Sequence, residues 1–133
     1  MNIEKIEGIG PHYASMLRNV GIRTTEALLK AGASKRGRES LAEESDISET
    51  LILEWVNLAD LMRIKGIGEE YSDLLEEAGV DSVKELRNRV PENLHKKMLE
   101  TNQMKRLVRR PPSLKQTKSW VAQAKTLNPV VTH

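Results

Sequence analysis

Cysteine is absent from the 133 residues, which excludes disulfide scaffolds, thiolate metal sites and cysteine nucleophiles. Phenylalanine is absent as well, and the aromatic residues are two Trp and two Tyr. No apolar run approaches the roughly 20 residues that a membrane-spanning helix needs, and the opening MNIEKIEGIG has no apolar signal region. These absences point to a cytoplasmic protein with no membrane partner. Catalytic signatures are missing too. The three histidines, His12, His95 and His133, are isolated, and no HExxH, nucleophile elbow or Walker-A loop occurs. The segment GIGEEY lacks the third glycine and the preceding strand of a dinucleotide site. Adjacent acids such as Glu43-Glu44 and Glu76-Glu77 point in different directions on a helix. The expectation is a protein without catalytic residues, metal ligands or cofactor, and not an enzyme.

What is present is a folding composition with segregated charge. Hydrophobic residues make up 38% and charged residues 30%, enough for one domain or two very small ones. The net charge of +2 is an average over unlike parts. Residues 1–85 hold 10 Lys and Arg against 17 Asp and Glu, whereas residues 86–133 hold 11 against only Glu92 and Glu100. A basic third joined to an acidic two-thirds suggests a polyanion partner, or docking of one part on the other.

The chain also repeats itself. A shift of 58 aligns Ile6–Leu28 with Ile64–Leu86, and eight of 23 positions are identical: Ile6, Gly8, Ile9, Gly10, Tyr13, Leu17, Gly21 and Leu28 with their counterparts. Farther on, a shift of 65 pairs Trp55-Val56 with Trp120-Val121, Ser48 with Ser113 and Ala59 with Ala124. All four aromatic residues fall in these pairs. The reading is two copies of one helical unit, 1–62 and 63–128, with a tail at 129–133.

Punctuation makes the units helical. Pro11 suits a first helical turn and Gly21 a left-handed end. Thr24, Ser34 and Ser48 are N-cap candidates, and Leu51, Ile52, Trp55, Leu58, Ala59 and Met62 follow three- and four-residue spacing. In the second copy a helix from Glu69 ends at Gly79, and Ser82 with Glu85 has the capping-box pattern. Pro91 opens a helix carrying Leu94, Met98 and Leu99, and Ser113 caps the last one. No segment alternates with period two. An all-α fold of nine or ten short helices is expected, four to five per unit, in a pseudo-twofold internal repeat.

Ile6-Glu7-Gly8-Ile9-Gly10-Pro11 and Ile64-Lys65-Gly66-Ile67-Gly68-Glu69 carry the strongest chemical signal. Two glycines around one apolar residue turn the backbone sharply and leave amides uncovered beside a helix N-terminus, where an anion can be held. These residues resemble the helix-hairpin-helix motif of DNA-repair and recombination proteins (a SAM-like fold), most closely in GIGPHYASML. The whole chain also resembles an uncharacterised bacterial family of small proteins with two such hairpins, through IEGIGPHYASML, LILEWVNLADLMRIKGIG, YSDLLEEAGVDSVKEL and LVRRPPS. The resemblance implies phosphate binding by Gly8, Ile9, Gly10 and His12, and by Gly66, Ile67 and Gly68. Some members of the helix-hairpin-helix family bind a monovalent cation through the hairpin carbonyls, so the resemblance allows one here. The second hairpin departs from the pattern, because Glu69 and Glu70 stabilise a helix start but repel phosphate.

Lys96, Lys97, Lys105, Arg106, Arg109, Arg110, Lys115 and Lys118 are the candidates for a patch that tracks a nucleic-acid backbone, with Arg109-Arg110 densest on a proline-stiffened connector. Trp55 and Trp120 fit core positions better than stacking platforms. The functional expectation is a sequence-independent nucleic-acid-binding module, for DNA ahead of RNA. The rival is a protein–protein adaptor or homodimeric scaffold built on the charge asymmetry.

Overall fold

The computed structural model describes residues 1–133 and is all-helical. A single 3-10 turn, Ile3–Lys5, is followed by eight α-helices: α1 Pro11–Asn19, α2 Thr25–Gly32, α3 Lys35–Ser45, α4 Glu49–Leu61, α5 Glu69–Glu77, α6 Val83–Leu86, α7 Pro91–Lys105 and α8 Leu114–Thr126. No helix is long and apolar enough to cross a membrane. The chain divides into two units, Met1–Asp60 with Val130–His133, and Leu61–Pro129.

The caps form where short polar residues precede apolar periodicity. Thr24, Ser34, Ser82 and Ser113 each accept a backbone N–H from the first turn of α2, α3, α6 and α8. Ser48 does the same for Leu51, at 3.2 Å. The capping box expected at Ser82 closes only halfway, because the Glu85 carboxylate turns to Arg89 (2.9 Å) rather than back to the cap. A complete box stands instead at Ser113 and Gln116, each side chain accepting the other's backbone N–H.

In the first unit, buried Ile3, Ile6 and Ile9 line the approach to α1, and Trp55 and Val56 are buried on α4. In the second, Leu61, Ile64, Ile67, Leu74, Leu75 and Trp120 belong to one cluster, with Tyr71, Leu107 and Leu127 packed on it. Helices α1 and α5 end alike. Ile22 N–H returns to Leu17 O and Val80 N–H to Leu75 O, both at 2.9 Å, while Gly21 and Gly79 bond Arg18 O and Glu76 O. These paired bonds satisfy the last carbonyls of each helix.

The segment 129–133 has no regular structure, yet its last four residues are built into the first unit through Arg38, which is only 2% exposed. Its Nη1 donates to the carbonyls of Gly32 (2.9 Å) and Ala33 (3.1 Å) at the end of α2, and its Nη2 to Thr132 O (2.7 Å). Thr132 N–H answers with Ala33 O at 2.8 Å. The negative end of the α2 dipole and three carbonyls thus surround a buried cation. Removing the donor strands the carbonyls of Gly32 and Thr132, whereas Ala33 O keeps the Thr132 N–H. Arg38→Met is expected to lower stability by about 2–3 kcal/mol in urea denaturation. Arg38→Lys should recover less than half of that, because one ammonium cannot span the three acceptors.

Candidate nucleic-acid interface

The turns that precede α1 and α5 have the same local hydrogen bonding. Ile6 N–H bonds Ile3 O and Ile9 N–H bonds Ile6 O; Ile64 N–H bonds Leu61 O and Ile67 N–H bonds Ile64 O, all at 3.1 Å. Every third residue is therefore buried and bonded, and the residues between are left outside. Gly8 and Gly66 take φ of +94° and +100°, which L side chains rarely adopt. A Cβ on either would stand 3.2 Å from Trp55 Nε1 or 3.0 Å from Trp120 Nε1. Backbone angle and tryptophan edge both demand glycine there. Gly10 and Gly68 differ: their φ values of −85° and −117° are ordinary, and open space faces them.

No side chain caps α1 or α5. The first-turn amides of His12 and Tyr13, and of Glu70 and Tyr71, make no hydrogen bond within the protein, nor do those of Gly8, Gly10, Gly66 and Gly68. Ile9 and Ile67, also candidates from the sequence, have theirs engaged by the preceding isoleucine. Their side chains are buried as anchors of the turn. His12 is exposed, its ring 5.7 Å from that of Tyr13.

The two turns differ in what surrounds them. The Gln123 side chain clamps the second, accepting Lys65 N–H (2.9 Å) and donating to Lys65 O (3.1 Å). The first unit has Leu58 at the position matched to Gln123 by the shift of 65. Tyr71 donates its hydroxyl to Arg110 O at 2.9 Å, which ties the second turn's helix to the basic connector. Glu69 and Glu70 stand exposed in the first turn of α5. The carboxylates of Asp73, Glu76 and Glu77 gather within 4.8 Å of one another farther along it.

The basic residues Lys96, Lys97, Lys105, Arg106, Arg109, Arg110, Lys115 and Lys118 are all exposed, along α7, the connector and α8. Lys105 pairs with Glu77, whose hydrogen bond and charge raise its pKa above the ordinary lysine value. Its charge is thereby offset within the chain. The other seven form no ion pair in the protein. The connector itself is held at every second residue. Asn102 bonds both the N–H (2.9 Å) and the carbonyl (3.1 Å) of Val108, Tyr71 holds Arg110 O, and His95 Nε2 meets Pro112 O at 2.9 Å. Arg109 and Arg110 thus project from an ordered backbone.

Pinning by Asn102, His95 and Gln123 escaped the sequence reading, which treated His95 as isolated. The one usable signal was the change from Leu58 to Gln123 at a matched position.

Substitution at the two kinds of glycine separates fold from surface. Gly8→Ala and Gly66→Ala are each expected to cost about 1–3 kcal/mol through backbone strain and the tryptophan contact. Gly10→Ala, with ordinary angles and open space, should cost under about 1 kcal/mol as an N-cap change. Thermal or urea unfolding followed by circular dichroism measures both.

No curated protein and no solved structure matches the chain. A family model, described as domain of unknown function DUF4332, matches residues 7–127. That span includes the glycines of both turns, both tryptophans and the basic connector, and the protein belongs to this family.

Proposed function

We propose that the protein is a non-catalytic, cytoplasmic module of two tandem helix-hairpin-helix units, copies of one repeat. It holds the sugar–phosphate backbone of nucleic acid, DNA ahead of RNA, without reading sequence. The observation that carries this reading is the pair of turns whose glycine amides and following first-turn amides are unused, while open space lies over Gly10 and Gly68. A phosphate there meets N–H donors at the positive end of a helix. The first hairpin is the stronger site. Pro11 and His12 follow its glycines, whereas Glu69 and Glu70 set negative charge at the second. Ion-pair-free Arg109, Arg110, Lys115 and Lys118 supply the longer-range attraction, and Lys105 contributes least because Glu77 already neutralises it.

An adaptor reading has one specific observation in its favour. Met104 on α7 is 87% exposed and Leu99 41%, among Lys96, Lys97 and Arg106. Exposed apolar side chains among lysines suit an acidic protein partner or a second copy of the chain.

Fluorescence anisotropy with random-sequence duplex and single-stranded probes at several salt concentrations tests the proposal. Binding should weaken steeply with salt and vary little with sequence. Arg109→Ala with Arg110→Ala should reduce the magnitude of the salt slope by about two, one for each phosphate left without its arginine. Gly10→Ala should weaken binding with little change in stability, because its methyl group would enter the open space that a phosphate would take. Absence of binding at low salt, together with dimers in light scattering, would transfer the case to the adaptor.

A further inference from the structure

Beneath each hairpin lies the edge of a tryptophan whose polar atom has no use inside the protein. Trp55 and Trp120 are 1% and 2% exposed, yet neither indole N–H reaches an acceptor within the chain. A buried tryptophan normally donates this hydrogen, and leaving it unmade in a sealed place carries the full desolvation penalty of the N–H. The buried side-chain atoms that are sealed from solvent and unpartnered are Arg38 Nε and Asn57 Oδ1. The indole nitrogens are not among them, so each keeps an outlet at the surface. That outlet lies beside the hairpin: Nε1 of Trp55 is 3.2 Å from the place a Cβ would occupy on Gly8. The missing side chain of Gly8 leaves the way clear. Tyr13 fixes the indole plane from the side, its ring centroid 5.0 Å away and tilted by 61°.

We propose that Trp55 donates its indole N–H to a phosphodiester oxygen held at the first hairpin, so that this core residue is also a ligand. The inference rests on the nucleic-acid reading above and adds a side-chain donor to the backbone ones. A neutral donor on a rigid ring, locked by packing, needs no ordering when an anion arrives, and hydrogen bonds to a charged acceptor are about twice as strong as neutral ones. Trp120 has the same placement, 3.0 Å from the Cβ position of Gly66, but its turn leads into a helix that starts with Glu69 and Glu70. It serves as the internal reference.

The full-length protein gives two indole signals in a proton–nitrogen correlation spectrum, told apart with Trp120→Phe. On titration with a short random-sequence duplex at low salt, the Trp55 indole proton should move downfield together with the amides of Gly10 and His12. It should saturate at the same duplex concentration, with Trp120 moving less. Trp55→Phe should bind about tenfold more weakly while keeping its helical circular dichroism. If that variant unfolds, the wild-type titration decides alone. Should Gly10 and His12 shift while the Trp55 indole stays still, the indole has no part in binding and the backbone reading survives. If none of these signals moves, the hairpin reading fails and this proposal falls with it.

Discussion

The contact on which the structure turns is the meeting of a tryptophan edge with a glycine α-carbon, made once in each unit. Trp55 lies under Gly8 and Trp120 under Gly66, at separations that no Cβ could share comfortably. The glycine needs a positive φ to reverse the chain, and the tryptophan needs the absent side chain in order to pack. Each requirement enforces the other. Once the glycine is seated, isoleucines three residues apart drop into the core, and the glycines between them, Gly8 and Gly66, face outward with free amides. Tyr13 and Tyr71 then close over the indoles at ring distances of 5.0 and 5.2 Å. Hydrophobic burial and amide exposure are two results of one backbone path.

From that shared path the units part in chemistry. In the second, hydrogen bonds from Gln123 and Tyr71 engage groups around the turn, and the acids of α5 set the local field. In the first, Leu58 replaces the clamp and the Tyr13 hydroxyl makes no hydrogen bond within the protein. Extra residues after α7 account for much of the difference. They form the connector that Tyr71 holds, and they carry Arg109 and Arg110. The second unit therefore carries charge on an ordered connector, and the first leaves the amides beside its glycines unused.

The all-helical class, the caps at Thr24, Ser34, Ser48 and Ser113, and the burial of both tryptophans were legible because each depends on neighbours in sequence. Short-range competition limited the reading at Ser82, where Glu85 had two partners within reach and Arg89, one helical turn on, took it. The amides of Ile9 and Ile67 looked available because residues flanked by glycines are usually uncovered. The three-residue spacing Ile3, Ile6, Ile9 was visible, but that the Ile6 and Ile9 N–H groups would each bond the carbonyl three back was not. Arg38 was the least legible residue. Its helix is so polar that an arginine reads as surface, and its acceptor Thr132 lies 94 residues away.

That last pairing has a consequence for how the polypeptide matures. The second unit is one continuous stretch, Leu61–Pro129, whereas the first closes only when Val130–His133 return to it. A chain emerging from the ribosome has every residue of the second unit before it has the last four of the first. Until then the guanidinium of Arg38 lacks one of its carbonyls and stays hydrated. The earlier-made half is thus completed later.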